Sequence, residues 1–180
     1  MISQIESNHK YIVKADEPLS FVVFKVDGHG GKTLLDLNGD FLNFQLLIEI
    51  LVRMKAYKTD REDFLSMCKE KYKGNSGYLK TAEEFYTNYK PEKALWWYTQ
   101  DTFIYKILNK ALRTQNIDVL FNFHWFINDI RQQLRRNQYP ERIQVYRGQC
   151  MSNNELTSYK NSIEQFISTH TFFSTNVNKK

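Results

Sequence analysis

Of the side chains able to do chemistry in this sequence, an arginine and a run of hydroxyls stand out by their setting. Each closes a short strand-like segment: Val145-Tyr-Arg-Gly148 and Phe172-Phe-Ser-Thr-Asn176. A guanidinium offers a planar fork of donors that matches a phosphate or carboxylate bidentately, which a lysine point charge does not. A glycine beside it lets backbone come close to a ligand, and hydroxyls both donate and accept. Other chemistries lack their parts. No nucleophilic triad and no set of paired metal ligands is present. The turn Gly28-His-Gly-Gly31 lacks the GxxxxGK[ST] and GxGxxG spacings and opens no long helix, so it reads as a plain turn. Cys68 and Cys150 are the only cysteines, without CxxC or Cys/His spacing, which supports neither a zinc site nor a disulfide framework.

Periodicity predicts the elements that must position these residues. Near the N-terminus, Tyr11–Lys14, Phe21–Val26 and Thr33–Leu37 are β-branched or aromatic runs separated by glycines, and they predict a hairpin or small sheet. From Phe41, the residues Phe44, Leu47, Ile48, Leu51 and Val52 recur every three or four positions and predict a helix. Capping boxes at Thr59 with Glu62, Thr81 with Glu84 and Ser152 with Glu155 predict helices running to Lys71, Tyr89 and Asn161. Trp96, Phe103, Ile104, Ile107, Leu108, Ala111 and Leu112 line the face of a further helix. Ile117, Leu120, Phe121, His124, Ile127, Arg131 and Leu134 line another, with Asn116 as its N-cap. The short Arg113–Asn116 connection predicts an antiparallel helical hairpin. Core packing accounts for these faces, for Trp96, Trp97 and Trp125, and for His124, which reads as a hydrogen-bonded buried histidine rather than a metal ligand. Past Pro140, Ile143–Tyr146, Gln165–Ser168 and Phe172–Thr175 read as strands.

The two chemical segments, in that order and with a short capped helix between them, resemble the arginine–serine–glutamate class of mono-ADP-ribosyltransferases. The lead-in Lys93-Ala-Leu-Trp-Trp-Tyr98 and Asn109-Lys-Ala-Leu-Arg-Thr-Gln-Asn-Ile-Asp118 is similar to helical segments of members of that family, and the likeness covers about residues 41 to 176. The resemblance implies that NAD serves as co-substrate, with no metal, and that ADP-ribose passes to the arginine of an acceptor protein. It implies that Arg147 holds the phosphates or the nearby ribose, that Gly148 admits the ligand to the backbone, and that Ser174 positions the ribose and a catalytic glutamate. Thr175, by strand alternation, points the other way. At the third position of the family's S-T-S motif this chain has Asn176, which still hydrogen-bonds. The family's E-x-E pair has no counterpart, since nothing acidic follows Glu164. Breaking the nicotinamide–ribose bond develops oxocarbenium charge that a carboxylate stabilises. The expectation is therefore a partial or truncated member, inactive in transfer as it stands.

The implied fold is α+β: a helical N-terminal and middle portion leading into the first strands of an incomplete ADP-ribosyltransferase mixed β fold. Residues 1–40 would form a strand-rich segment, and residues 41–180 a partial transferase domain with helices over 41–137 and motif strands over 143–176. At 180 residues and 42% hydrophobic content the chain is long enough for a real core. Its charge of +5 suits an anionic ligand or an ordinary solvated surface, and part of it gathers in Arg131, Arg135, Arg136, Arg142 and Arg147. No helix-turn-helix, RNP-type strand or zinc finger accompanies that cluster, so nucleic acid is not the expected partner. The start lacks a basic region leading into an apolar run, and no segment approaches membrane-spanning length, which implies a cytoplasmic protein. The alternative reading is a catalytically silent helical module that binds a protein partner.

Overall fold

The apolar repeat of three and four that begins near Phe41 folds into helix α1 (Gly39–Arg53), the first of seven α-helices described between Gly31 and Arg142. The computed structural model describes residues 21–24, 39–147, 152–163 and 166–178. The chain divides into the unit Gly31–Arg142 and a second unit made of Met1–Gly30 with Ile143–Lys180. The expected strands at Tyr11–Lys14 and Thr33–Leu37 and the glycine turn between Asp27 and Gly31 lie outside the described residues.

In the helical unit, caps decide where helices begin, and they differ from the expected boxes. Helix α2 (Lys58–Lys71) is capped by the Asp60 carboxylate, which accepts the Tyr57 N–H at 2.6 Å, in place of the pair Thr59 and Glu62. Helix α3 (Ser76–Asn88) starts well before Thr81. Asn75 accepts the Tyr78 N–H at 3.1 Å, and the Thr81 hydroxyl, now inside the helix, donates to the Gly77 carbonyl. A Thr-x-x-Glu match is local, and an earlier cap with helical residues after it takes precedence. A 3₁₀ turn (Pro91–Lys93) leads into α4 (Ala94–Thr99), and α5 (Phe103–Thr114) follows as a separate helix. Gln115, left-handed at φ 52°, ends α5. Asn116 then caps α6 (Ile117–Asn122) through the Val119 N–H, as its side chain suggested.

The expected single helix after Asn116 is broken at Phe123, after which α7 (His124–Arg136) resumes. That break shifts the phase of the apolar stripe. Val119, Leu120, Phe123, Trp125, Phe126, Ile127 and Ile130 are buried, whereas Ile117, Phe121 and Leu134, expected in the core, are exposed. Trp96 is exposed for the same reason, because it belongs to α4 and not to the helix that carries Phe103 and Ile104. Trp97 and Trp125 are buried as expected.

Aromatic rings fill the centre of this unit. Phe64 meets Phe85 and Phe123 edge-on at 5.4 and 5.0 Å, and Phe85 also meets Trp97 at 5.0 Å and Phe126 at 5.2 Å. Such pairs add about 0.5–1.5 kcal/mol each beyond the area they bury. Buried Asn109 is satisfied at both ends: its oxygen accepts from the Tyr98 hydroxyl at 2.9 Å and its amide donates to the Tyr105 carbonyl at 3.0 Å. At the edge, the Tyr89 hydroxyl donates to Asp129 at 2.7 Å while the Arg61 guanidinium lies over the Tyr89 and Trp125 rings, tying α2 to α7.

In the other unit, β1 (Phe21–Phe24) pairs antiparallel with β2 (Phe166–Thr169), Phe21 opposite Thr169 and Phe24 opposite Phe166. Helix α8 (Asn153–Lys160) begins after Ser152, whose carbonyl accepts the Leu156 N–H. The α+β expectation is therefore corrected. The described residues are mostly helical, their strands amount to two of four residues and one isolated bridge, and this is not an α+β ADP-ribosyltransferase fold. Ile143–Tyr146 and Phe172–Thr175, expected as strands from their alternation, are not strands. A strand needs a run of ladder hydrogen bonds, and here the segments share one bridge. Among the described residues, no helix is long and apolar enough to cross a membrane.

Candidate functional site

The bridge joins the two segments that the sequence singled out. Tyr146 and Asn176 exchange both backbone hydrogen bonds, Tyr146 N–H to Asn176 O at 2.7 Å and Asn176 N–H to Tyr146 O at 2.8 Å, the pattern of an antiparallel hydrogen-bonded pair. One residue beyond the bridge, Arg147 reaches back across it, and its Nη1 donates to the Ser174 carbonyl at 2.8 Å. The guanidinium carbon lies 4.8 Å from the centre of the Phe173 ring. Arg147 is half-buried; Ser174, Thr175 and Asn176 are exposed. The structure thus brings Arg147 and Ser174 together, through the serine's backbone and not its hydroxyl. Gly148 lies outside the described residues, as does Cys150.

Asn176, where the family motif has serine, accepts the Asn178 N–H on its side-chain oxygen at 2.9 Å, a local turn contact that Asn makes readily. Phe173 was not among the expected site residues. Its signal in the sequence was adjacency to Ser174 alone, because no periodic pattern distinguishes an aromatic that packs inward from one that receives a cation. Nearby His170 has its pKa lowered by burial, which favours the neutral ring.

The arginine cluster read from the sequence divides between the units, with Arg131, Arg135, Arg136 and Arg142 in the helical one and Arg147 in the other. Part of it is neutralised. Glu49 binds Arg53 at 2.8 Å and Arg131 at 3.6 Å, and the Arg53 hydrogen bond foremost holds the Glu49 carboxyl below its usual range. His124 is buried, with Nδ1 2.8 Å from the Phe121 carbonyl and Nε2 3.3 Å from the same Asp60 oxygen that caps α2. It is the hydrogen-bonded core histidine the sequence suggested. Among the described residues, no group of three or more His, Cys, Asp or Glu side chains gathers as metal ligands.

The arrangement can hold an anion: a guanidinium that donates to the Ser174 carbonyl and lies over the Phe173 ring, beside exposed hydroxyls. No family model, curated protein or solved structure matches the chain.

Proposed function

We propose that Arg147 and Ser174 form the dinucleotide-binding pair of an NAD-dependent protein-arginine mono-ADP-ribosyltransferase, with Arg147 toward the pyrophosphate and Ser174 toward the nicotinamide-side ribose. One observation carries this reading: segments 27 residues apart, resembling the family's first two motifs, are bridged so that Arg147 donates to Ser174 at 2.8 Å. The donor set fits such a ligand. A guanidinium suits phosphate oxygens, and a serine hydroxyl suits a ribose hydroxyl. Gly148, by the resemblance, admits the ligand to the backbone.

When bound, NAD would supply the glycosidic bond that the family's reaction breaks, and the acceptor would be an arginine of another protein. This chain's own residues bind and orient. Neither matched segment contains the carboxylate that stabilises developing ribose charge. The expected result with this chain is therefore saturable binding of NAD without release of nicotinamide. Titration calorimetry with NAD, beside Arg147→Lys, tests it. The lysine variant should bind about tenfold more weakly, since it keeps the charge but loses the fork. Equal binding by parent and variant, or none by the parent, would refute the assignment.

A further inference from the structure

We propose that Phe173 is a positioning residue for Arg147, its ring setting the plane in which the guanidinium meets an anionic group such as the pyrophosphate of a dinucleotide. The proposal rests on the dinucleotide-binding reading of Arg147 and Ser174. Arginine carries its charge on a long stem with many rotamers, and a fork that must be ordered on binding loses affinity by that ordering. The hydrogen bond from Nη1 to the Ser174 carbonyl at 2.8 Å holds one nitrogen of the guanidinium. The Phe173 ring, centred 4.8 Å from the guanidinium carbon, supplies a face against which it rests. A point and a face together define an orientation.

Phe173 is not a core residue. Its side chain is 53% exposed, so burial gives little reason for a phenyl ring at this position. The contact also crosses from one segment to the other, beside the Tyr146–Asn176 bridge.

The test uses the whole chain, with NAD and inorganic pyrophosphate as separate probes in titration calorimetry at low ionic strength. Phe173→Leu keeps apolar bulk and removes the ring. It should weaken both probes by about two- to fivefold, the range of an exposed cation–π contact. Phe173→Tyr should restore parental affinity. In an Arg147→Gln background, Phe173→Leu should change nothing further, because a residue that acts through the arginine has no role without it. Parental affinity in Phe173→Leu would overturn the positioning role and leave the Arg147–Ser174 reading standing. An equal loss in both backgrounds would overturn it as well, since the ring would then act on ligand or fold independently. No binding of NAD by the parent would remove the dinucleotide reading itself, and the proposal with it.

Discussion

Consider iodoacetamide added at pH 8 to the chain with Cys150 replaced by serine, so that Cys68 is the one thiol left. Cys68 lies on the inner face of α2 with 0% of its surface exposed. Burial pushes its thiol from the ordinary 9.0 up to about 12, against a weaker lowering by Lys71. Alkylation requires the thiolate. At pH 8 the thiolate share falls from about one part in ten for an ordinary thiol to about one in ten thousand, a loss of about a thousandfold before access is considered. Native reaction must therefore pass through openings that release α2 from its neighbours. Intact-mass spectrometry over time gives the rate. We expect the native chain to react at least about a thousand times more slowly than the same chain in urea, with the rate rising across the unfolding transition. Native alkylation within about tenfold of the unfolded rate would refute both the ionisation and the packing argument.

Phe85→Ala removes the ring shared by Phe64, Trp97, Trp125 and Phe126, and should cost about 3–5 kcal/mol in denaturant unfolding; a cost below about 1 kcal/mol would mean that these rings do not form one core. Burial raises the Asp129 carboxyl above its ordinary 3.8, against lowering by the Tyr89 hydrogen bond and Arg61. In the interval just above pH 3.8 the folded chain keeps a proton the unfolded chain has released, so stability from this group falls as pH rises there. Urea midpoints should show that fall, and Asp129→Asn should remove it; identical pH slopes for the two chains would contradict the assignment. Gln115 holds a left-handed φ of 52° at the end of α5, so Gln115→Gly should raise stability by about 0.5–1 kcal/mol, and a loss in thermal unfolding would show that its side chain matters more than its backbone.

What the sequence revealed of the fold follows the length scale of each signal. The helix at Phe41–Val52 was legible because its stripe repeats over several turns, and Asn116 because a cap acts within three residues. The break at Phe123 was not, since the apolar residues on either side continue at helical spacing and only tertiary packing favours two short helices over one long one. The same limit misplaced Trp96, Ile117, Phe121 and Leu134 in the core. Strands were read from alternation, a local property. Whether alternating segments make a sheet depends on partners distant in sequence, and among the described residues the β-structure is a four-residue pair and a bridge.

At the candidate site, residue type was legible and atomic role was not. Arg147 and Ser174 come together, yet the serine contributes its carbonyl, a group that every residue possesses. That contact therefore carries no preference for serine at position 174. Ser174→Ala should leave the Arg147 hydrogen bond, the bridge and the contact with the Phe173 ring in place, because none of them uses the hydroxyl. A drop in NAD affinity in that variant, with the fold intact by circular dichroism, would then belong to the hydroxyl and the ligand alone. Unchanged affinity would remove Ser174 from the pocket while leaving the arginine in it. The two members of the pair are thus separable by experiment even though the structure joins them.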